Sequence, residues 1–149
     1  MSISTRQAGL ADLERIAPLF DAYRQFYGQA PDIGAARAFI AERMALLESI
    51  IYLAEDATGA AIGFTQLYPS FSSVSARRIW ILNDLFVAAQ VRGSGVGKAL
   101  LAAARMHAVS TGAKRLVLST AVDNPAQKLY EAQNYQRDTG FHHYSLELE

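Results

Sequence analysis

The stretch Val91-Arg92-Gly93-Ser94-Gly95-Val96-Gly97-Lys98-Ala99-Leu100-Leu101 decides the reading of this chain. Glycines at 93, 95 and 97 leave a short loop without β-carbons, able to take φ > 0 and to let a ligand touch bare backbone. An apolar strand-like stretch, Trp80 to Val87, precedes the loop, and an amphipathic helix beginning near Val96 follows it. A glycine loop feeding a helix N-terminus is an anion site, because unpaired N–H groups point outward and the helix dipole favours negative charge. Arg92 adds a permanent cation suited to phosphate.

Outward from the loop, the pattern alternates strands and helices. Ile3 to Gln7 reads as a first strand. Ala11-Asp12 opens a helix with Leu13, Ile16, Leu19, Phe20 and Tyr23 on one face, ending near Gly28. Pro31-Asp32 starts a second helix carrying Ala36, Phe39, Ile40, Met44 and Leu47. Ile50 to Ala54, a turn over Asp56 to Gly59, and Ala61 to Tyr68 make a hairpin. The serine-rich Pro69 to Ser75 reads as loop, and Arg78 to Val87 as a strand apolar on both faces. Beyond the glycine loop, Val96, Leu100, Ala103, Ala104 and His107 form a helical stripe closed by Gly112. Arg115 to Thr120 is a buried strand. Asn124 caps a short helix with Pro125 at its first position, Leu129 and Tyr130 on it and Asn134 ending it. His143 to Leu148 alternates as a last strand. The order β-α-α-β-β-β-α-β-α-β predicts an α/β fold: a mixed, mostly antiparallel sheet of six to seven strands flanked by four helices.

At 149 residues the chain is long enough for one domain, 1–149, with a proper core. Its formal net charge of zero gives no support to a nucleic-acid or anionic-membrane partner. With no cysteine, disulfides, thiolate nucleophiles and Cys-ligated zinc are excluded, and three histidines make a weak case for any metal. The start lacks a signal-peptide pattern and no apolar run approaches the roughly 20 residues of a membrane span, so a cytoplasmic address is expected.

The loop admits several readings. A Walker loop needs G-x-x-x-x-G-K-[ST], but position 92 is Arg and position 99 is Ala, so the magnesium-binding hydroxyl is missing. A dinucleotide fingerprint needs a third glycine one residue later. A plain turn requires neither three glycines nor an arginine. The segment Asn83-Asp84-Leu85-Phe86-Val87 followed by Arg92-Gly93-Ser94-Gly95-Val96-Gly97 resembles the acetyl-coenzyme-A motif of the GNAT N-acetyltransferase superfamily, [Q/R]-x-x-G-x-[G/A]. Arg92, Gly95 and Gly97 fill its fixed positions. The resemblance extends over most of the chain and points to the small-molecule and diamine branch.

That resemblance implies an N-acetyltransferase moving acetyl from acetyl-coenzyme A to a small primary amine, polyamine or amino-acid-like, by direct attack through a tetrahedral intermediate. Arg92, Gly93, Ser94, Gly95, Val96, Gly97 and Lys98 would hold the pyrophosphate. The main chain of Leu85, Phe86 and Val87 would pair with the pantetheine arm where the strand splays from its neighbour. Tyr130 would protonate the departing thiolate. The family places an asparagine seven residues before that tyrosine. Here Asn124 is six before it and Asp123 seven, so Asn124 is expected to cap a tighter entry and to contact the coenzyme.

Related polyamine enzymes carry glutamate where Asn83 stands, and an amide cannot accept a proton. Asp84 is therefore expected to bind the acceptor's ammonium or to relay its proton through water, as a carboxylate on a central strand must be paired or functional. Phe26, Tyr27 and Tyr68, with Asn83, are candidate acceptor contacts, since aromatic faces hold ammonium groups. Asp21 and Glu55 read either as substrate carboxylates or as solvated ones. The alternatives are a protein N-terminal or lysine acetyltransferase, and a catalytically silent coenzyme-A sensor. A homodimer formed through the C-terminal strand is expected, with no metal required.

Overall fold

A computed structural model describes residues 2–149. It divides into two compact units, the first ending at Ser119 and the second spanning Thr120–Glu149.

In the first unit the elements run β1 (Ser4–Gln7), α1 (Leu13–Phe26), α2 (Ile33–Ala45), β2 (Ile50–Glu55), β3 (Ala61–Ser72), β4 (Arg77–Val87), α3 (Val96–Ser110) and β5 (Leu116–Val117). The five strands form one sheet in the order β1-β2-β3-β4-β5. Its pairs are antiparallel except β4 with β5, which is parallel. The α/β fold and the hairpin are as the sequence predicts; among the described residues the strand count is five, not six or seven.

Local chemistry explains most boundaries. Asp32 accepts from Ala35 N–H at 3.0 Å and so caps α2. The Asp56 carboxylate accepts from the N–H groups of Thr58 and Ala60 at 2.9 and 3.1 Å, closing the β2–β3 turn. The α1–α2 face of the sheet buries Ile16, Phe20, Ala36 and Ile40 against Ile51, Leu53, Phe64 and Phe86. The other face packs Val96 and Leu100 of α3 on Ala54 and Ile62.

Three expectations fail here for stated reasons. Pro69 to Ser75 is not a loop throughout, because β3 continues to Ser72 and pairs Pro69 with Trp80 and Ser72 with Arg77. The proline is tolerated because β2 ends opposite Leu67, so the missing N–H breaks no ladder on that side. Arg115 to Thr120 shrinks to the two residues of β5, which meet β4 at Trp80 and Ile81 alone. Leu47 lies past α2 at φ 54° and 85% exposed, outside the helical stripe that would have buried it.

Two details of the sheet position everything that follows. First, Gln66 pairs with Asp84 and Leu67 with Leu82, leaving Asn83 as the extra residue of a β-bulge. One extra residue turns the pleat over. Trp80 accordingly meets His107 of α3 with ring centroids at 4.9 Å, whereas Phe86 meets Tyr23 of α1 at 6.3 Å. Second, a β-carbon at Gly63 would lie 2.8 Å from the Phe86 carbonyl, 3.1 Å from Val96 Cγ1 and 3.2 Å from Leu100 Cδ1. Only glycine lets the first turn of α3 lie this close to the sheet.

An ion network ties β1 to the β2–β3 hairpin. Arg6 donates through both Nη groups to Asp12, at 3.0 and 2.7 Å, and through Nε to Glu55 at 2.8 Å. Arg15 adds a 2.8 Å pair to Glu55. Glu55 is thus a structural partner of two arginines. Asp21, likewise, accepts from Arg24, Gln25 and the backbone N–H of Asp32.

The second unit is built around Asn124, whose Oδ1 accepts from Ala126 N–H at 2.9 Å. The expected cap is displaced: Asn124 closes a turn ahead of the helix, while α4 runs Gln127–Ala132 with Ala126 at its N-cap and no side chain capping it. The bonds from Gln127 N–H to Asn124 and from Lys128 N–H to Pro125 are three residues long, so Pro125 sits in a tighter turn before the helix. Asn134 ends α4 at φ 71°, as its sequence position predicts. The expected last strand, His143 to Leu148, does not form. Alternation alone does not make a strand: its N–H and C=O groups need a partner ladder, and none is paired with it here.

The Arg6 pair and the Gly9 N–H hold the Asp12 carboxyl down at about 2. A depressed acid stabilises the fold above its unfolded pKa near 4 and loses that contribution as pH falls towards 2. Asp12→Asn is expected to lower stability by ~1–2 kcal/mol at pH 7, after discounting for the exposed guanidinium, and to flatten the acid limb between pH 4 and 2 in urea melts. Gly63→Ala is expected to cost about 1–3 kcal/mol through overpacking under α3, read as a lower urea midpoint at unchanged m-value.

Candidate functional site

Gly93 and Gly95 take φ of 82° and 88°, left-handed values that L-residues adopt only with strain. Gly95 is the N-cap of α3, and the first helical bond runs from Ala99 N–H to the Gly95 carbonyl at 3.0 Å. The N–H groups of Val96, Gly97 and Lys98 precede that bond and have no helical partner. Gly97 itself lies inside α3, so two glycines, not three, shape the loop. Arg92, Gly93, Ser94, Gly95 and Lys98 are exposed. No acidic residue occurs between Asp84 and Asp123, whereas Arg92, Lys98, Arg105, Lys114 and Arg115 do. A neutral chain thus carries a locally basic half around this helix.

Arg92 is oriented rather than loose. Its Nε donates to the Val87 carbonyl at 3.0 Å, and its guanidinium lies 5.8 Å from the Phe26 ring centre and 5.5 Å from that of Phe86. Among the described residues no carboxylate pairs with its guanidinium. Leu85, Phe86 and Val87 pair with Thr65, Phe64 and Gly63 on the β3 side. On the other side the β5 ladder covers only Trp80 and Ile81, so β4 leaves β5 before it reaches these three residues.

The bulge delivers Asp84 to the α1–α2 face. Its carboxylate is 1% exposed and accepts from Gln66 Nε2 at 2.5 Å and Asn83 Nδ2 at 2.8 Å. Burial pushes its pKa up, against the donated bonds of Asn83, Gln66 and Tyr23. The Tyr68 phenol, half-buried, is pushed up to about 12 by burial and by the Asp84 charge, with Arg43 opposing. Among the described residues Asp84 has no cationic partner, unlike Asp12 and Asp21.

Around this carboxylate stand the aromatic rings of α1. Tyr23 donates to the Asn83 carbonyl at 3.2 Å. Tyr27 packs edge-on against Tyr23 at 5.1 Å and against Phe26 at 5.2 Å. Phe26 and Tyr27 are 59% and 52% exposed. One continuous patch therefore joins Phe26, Tyr27, Asn83, Asp84, Phe86 and Arg92, with Tyr68 electrostatically coupled to it. Asn124 and Tyr130 belong to the second unit. There the Tyr130 ring lies 6.0 Å from that of Tyr135.

Tyr23 and Gln66 are functional neighbours that the sequence reading missed. Tyr23 sits on the apolar face of α1 and is indistinguishable there from a core ring. Gln66 carried a signal: it is a polar residue inside the run Ala61 to Leu67, fully buried in the structure, and such a residue needs a polar partner. Among the described residues no group of three or more acidic, histidine or cysteine side chains could hold a metal, and no helix is long and apolar enough to cross a membrane.

A basic, glycine-shaped helix N-terminus beside a strand that has parted from its neighbour is an arrangement suited to an anionic ligand in an α/β fold. Residues 48–137 match the acetyltransferase (GNAT) domain model, a span that crosses both units, and the chain belongs to this family. It is an acetyl-transferring enzyme. A Bacillus subtilis (strain 168) protein named as an uncharacterized N-acetyltransferase, YhfO, is 51% identical over 98% of each chain. A crystal structure of a probable acetyltransferase superposes with a TM-score of 0.92 at 44% identity, covering 100% of this chain and 99% of the other. At 23% identity the fold is also shared with AAC(6')-Iy in complex with a bisubstrate analogue of coenzyme A and acetylneamine, TM-score 0.79, over 99% of both chains.

Because Gln66 Oε1 is buried without a partner, a flip of that amide offers an acceptor to a new donor at position 84. Asp84→Asn is therefore expected to fold. A raised acid loses its favourable difference as pH climbs through its folded pKa, so the stability of the mutant relative to the parent should rise between pH 4 and pH 8. Thermal melts at the two pH values check the sign.

Proposed function

We propose that the donor is acetyl-coenzyme A and the acceptor a small primary amine, with the 149 residues working as one acetyltransferase domain. The observation that carries the donor is the left-handed Gly93–Gly95 turn presenting the bare N–H groups at the head of α3 beside Arg92. Those groups suit a pyrophosphate, each charge-assisted bond contributing roughly 1.5–3 kcal/mol. The outer edge of Leu85 to Val87, which the β5 ladder does not reach, suits the amide-bearing pantetheine arm, and bound donor supplies the thioester carbonyl that the amine attacks.

The acceptor reading rests on Asp84 and the rings around it. A carboxylate without a cation partner, inside an aromatic patch, favours a ligand that brings an ammonium. Its burial means that it acts through Tyr23 or through a water, holding or receiving the proton that the ammonium must lose before attack. The raised pKa makes it a better proton acceptor than a solvated carboxylate. A protein N-terminus or lysine is the competing acceptor, but it would have to enter past Phe26 and Tyr27 as an extended chain. Tyr130 is proposed as the proton donor to the departing thiolate, a role supported by its sequence position. A cytoplasmic homodimer is part of the same proposal.

The deciding measurement follows free thiol release from acetyl-coenzyme A across a panel of polyamines, amino acids and basic peptides. Release with small amines and none with peptides is expected; the reverse order would overturn the acceptor reading. Gly95→Ala adds a β-carbon into open space, so only backbone strain of ~1–2 kcal/mol acts. It should raise KM for the donor about tenfold with kcat nearly unchanged. Asp84→Asn should depress kcat with every amine that is acetylated and shift its pH profile.

A further inference from the structure

A second recess opens at the far end of α3, eleven residues and therefore ~16 Å along the helix from its glycine-capped start. It encloses about 320 Å³ and is lined by Ser49, Pro69, Arg78, Trp80, His107 and Thr111, among others. No acidic residue lines it. The neighbouring Glu48 is engaged by Arg43 at 3.1 Å.

Three donors there are uncommitted. The Ser49 hydroxyl is buried with no hydrogen-bond partner, on a side chain 7% exposed. His107 Nε2 is also buried and unpartnered. Its other nitrogen, Nδ1, lies 3.0 Å from the Tyr52 hydroxyl. A phenol is the stronger donor and an imidazole nitrogen the stronger acceptor of such a pair, so Tyr52 donates and Nε2 keeps its hydrogen. The Arg78 guanidinium lies 5.2 Å from the Trp80 ring centre and 4.8 Å from that of Phe71, with no carboxylate among the described residues paired to it.

Buried donors left without acceptors cost about 1–3 kcal/mol each unless something satisfies them. Competing acceptors at this helix end are already used: the His107 carbonyl accepts from Ser110 and Thr111, and Arg77 donates to the Gly112 carbonyl at 3.0 Å. The Trp80 indole N–H is likewise spent on Thr111 at 2.8 Å. What remains is a wall of tryptophan and proline facing three donors, one of them charged.

We infer that this recess binds a small carboxylic acid with a compact apolar body, its carboxylate held by Arg78, Ser49 and His107 and its body against Trp80 and Pro69. The volume suits a ligand of one ring or a short branched chain. The site is separate from the glycine loop and does not depend on the donor proposed for it.

Trp80 is the only tryptophan of the chain, so its fluorescence reports on this recess. Cyclohexanecarboxylate, which is transparent at the excitation wavelength, should produce a saturable change, and cyclohexanecarboxamide, its neutral counterpart, should not. Arg78→Gln and, independently, the conservative Ser49→Ala should each weaken the carboxylate response at least tenfold and threefold respectively, with thermal melts showing that both still fold. Equal responses to acid and amide, no saturation below tens of millimolar, or unchanged affinity in both variants would overturn the assignment. Acetyl-transfer assays run in parallel keep a failure here distinct from a failure of the proposed reaction.

Discussion

The candidate site depends on one unpaired residue. Without the bulge at Asn83, the alternation through Trp80, Leu82, Asp84 and Phe86 would send all four side chains to one face of the sheet. With it, Trp80 serves α3 while Asp84 and Phe86 serve α1. A carboxylate is thereby placed under the rings of α1 instead of under a helix that already presents basic groups. The same distortion lies just past the point where β4 parts from β5, since pairing between them is confined to two rungs at Trp80 and Ile81.

The second constraint is the contact of α3 with the sheet. Gly63, Val96 and Leu100 set how closely the helix approaches β3 and β4, and hence where its unpaired N–H groups sit relative to the outer edge of Leu85 to Val87. The loop conformation and the helix seat are separate demands met by glycines at different places in the chain. One supplies backbone conformation, the other the absence of a side chain.

Periodicity made the helices and the hairpin legible because their apolar faces repeat at 3.6 or 2 residues and their ends carry caps such as Asp32, Asp56 and Asn134. The glycine loop was legible because left-handed backbone demands a particular residue type. The bulge was not, since it leaves the buried residues of β4 at every second position and so hides within a regular pattern. For the same reason Asp84 was correctly singled out as a buried carboxylate while its bond to Gln66 went unseen. The final segment misled in the opposite direction: Tyr144, Leu146 and Leu148 alternate well enough for a strand, yet all are exposed and unladdered. Alternation records what a strand could bury, and pairing decides whether it forms.

The position of Arg92 between the Phe26 and Phe86 rings makes two surfaces interdependent. Its charge belongs to the loop, but its orientation is set by a ring at the end of α1 and by one on β4. Whatever fills the aromatic patch changes the polarisability and solvation felt by the guanidinium, and whatever neutralises the guanidinium changes its hold on Phe26. Free-energy changes at these two surfaces are therefore not additive. By thermodynamic reciprocity, occupancy of either one adjusts affinity at the other in equal measure. Two surfaces arranged in this way are coupled without a moving lid, because the coupling resides in a stacked side chain.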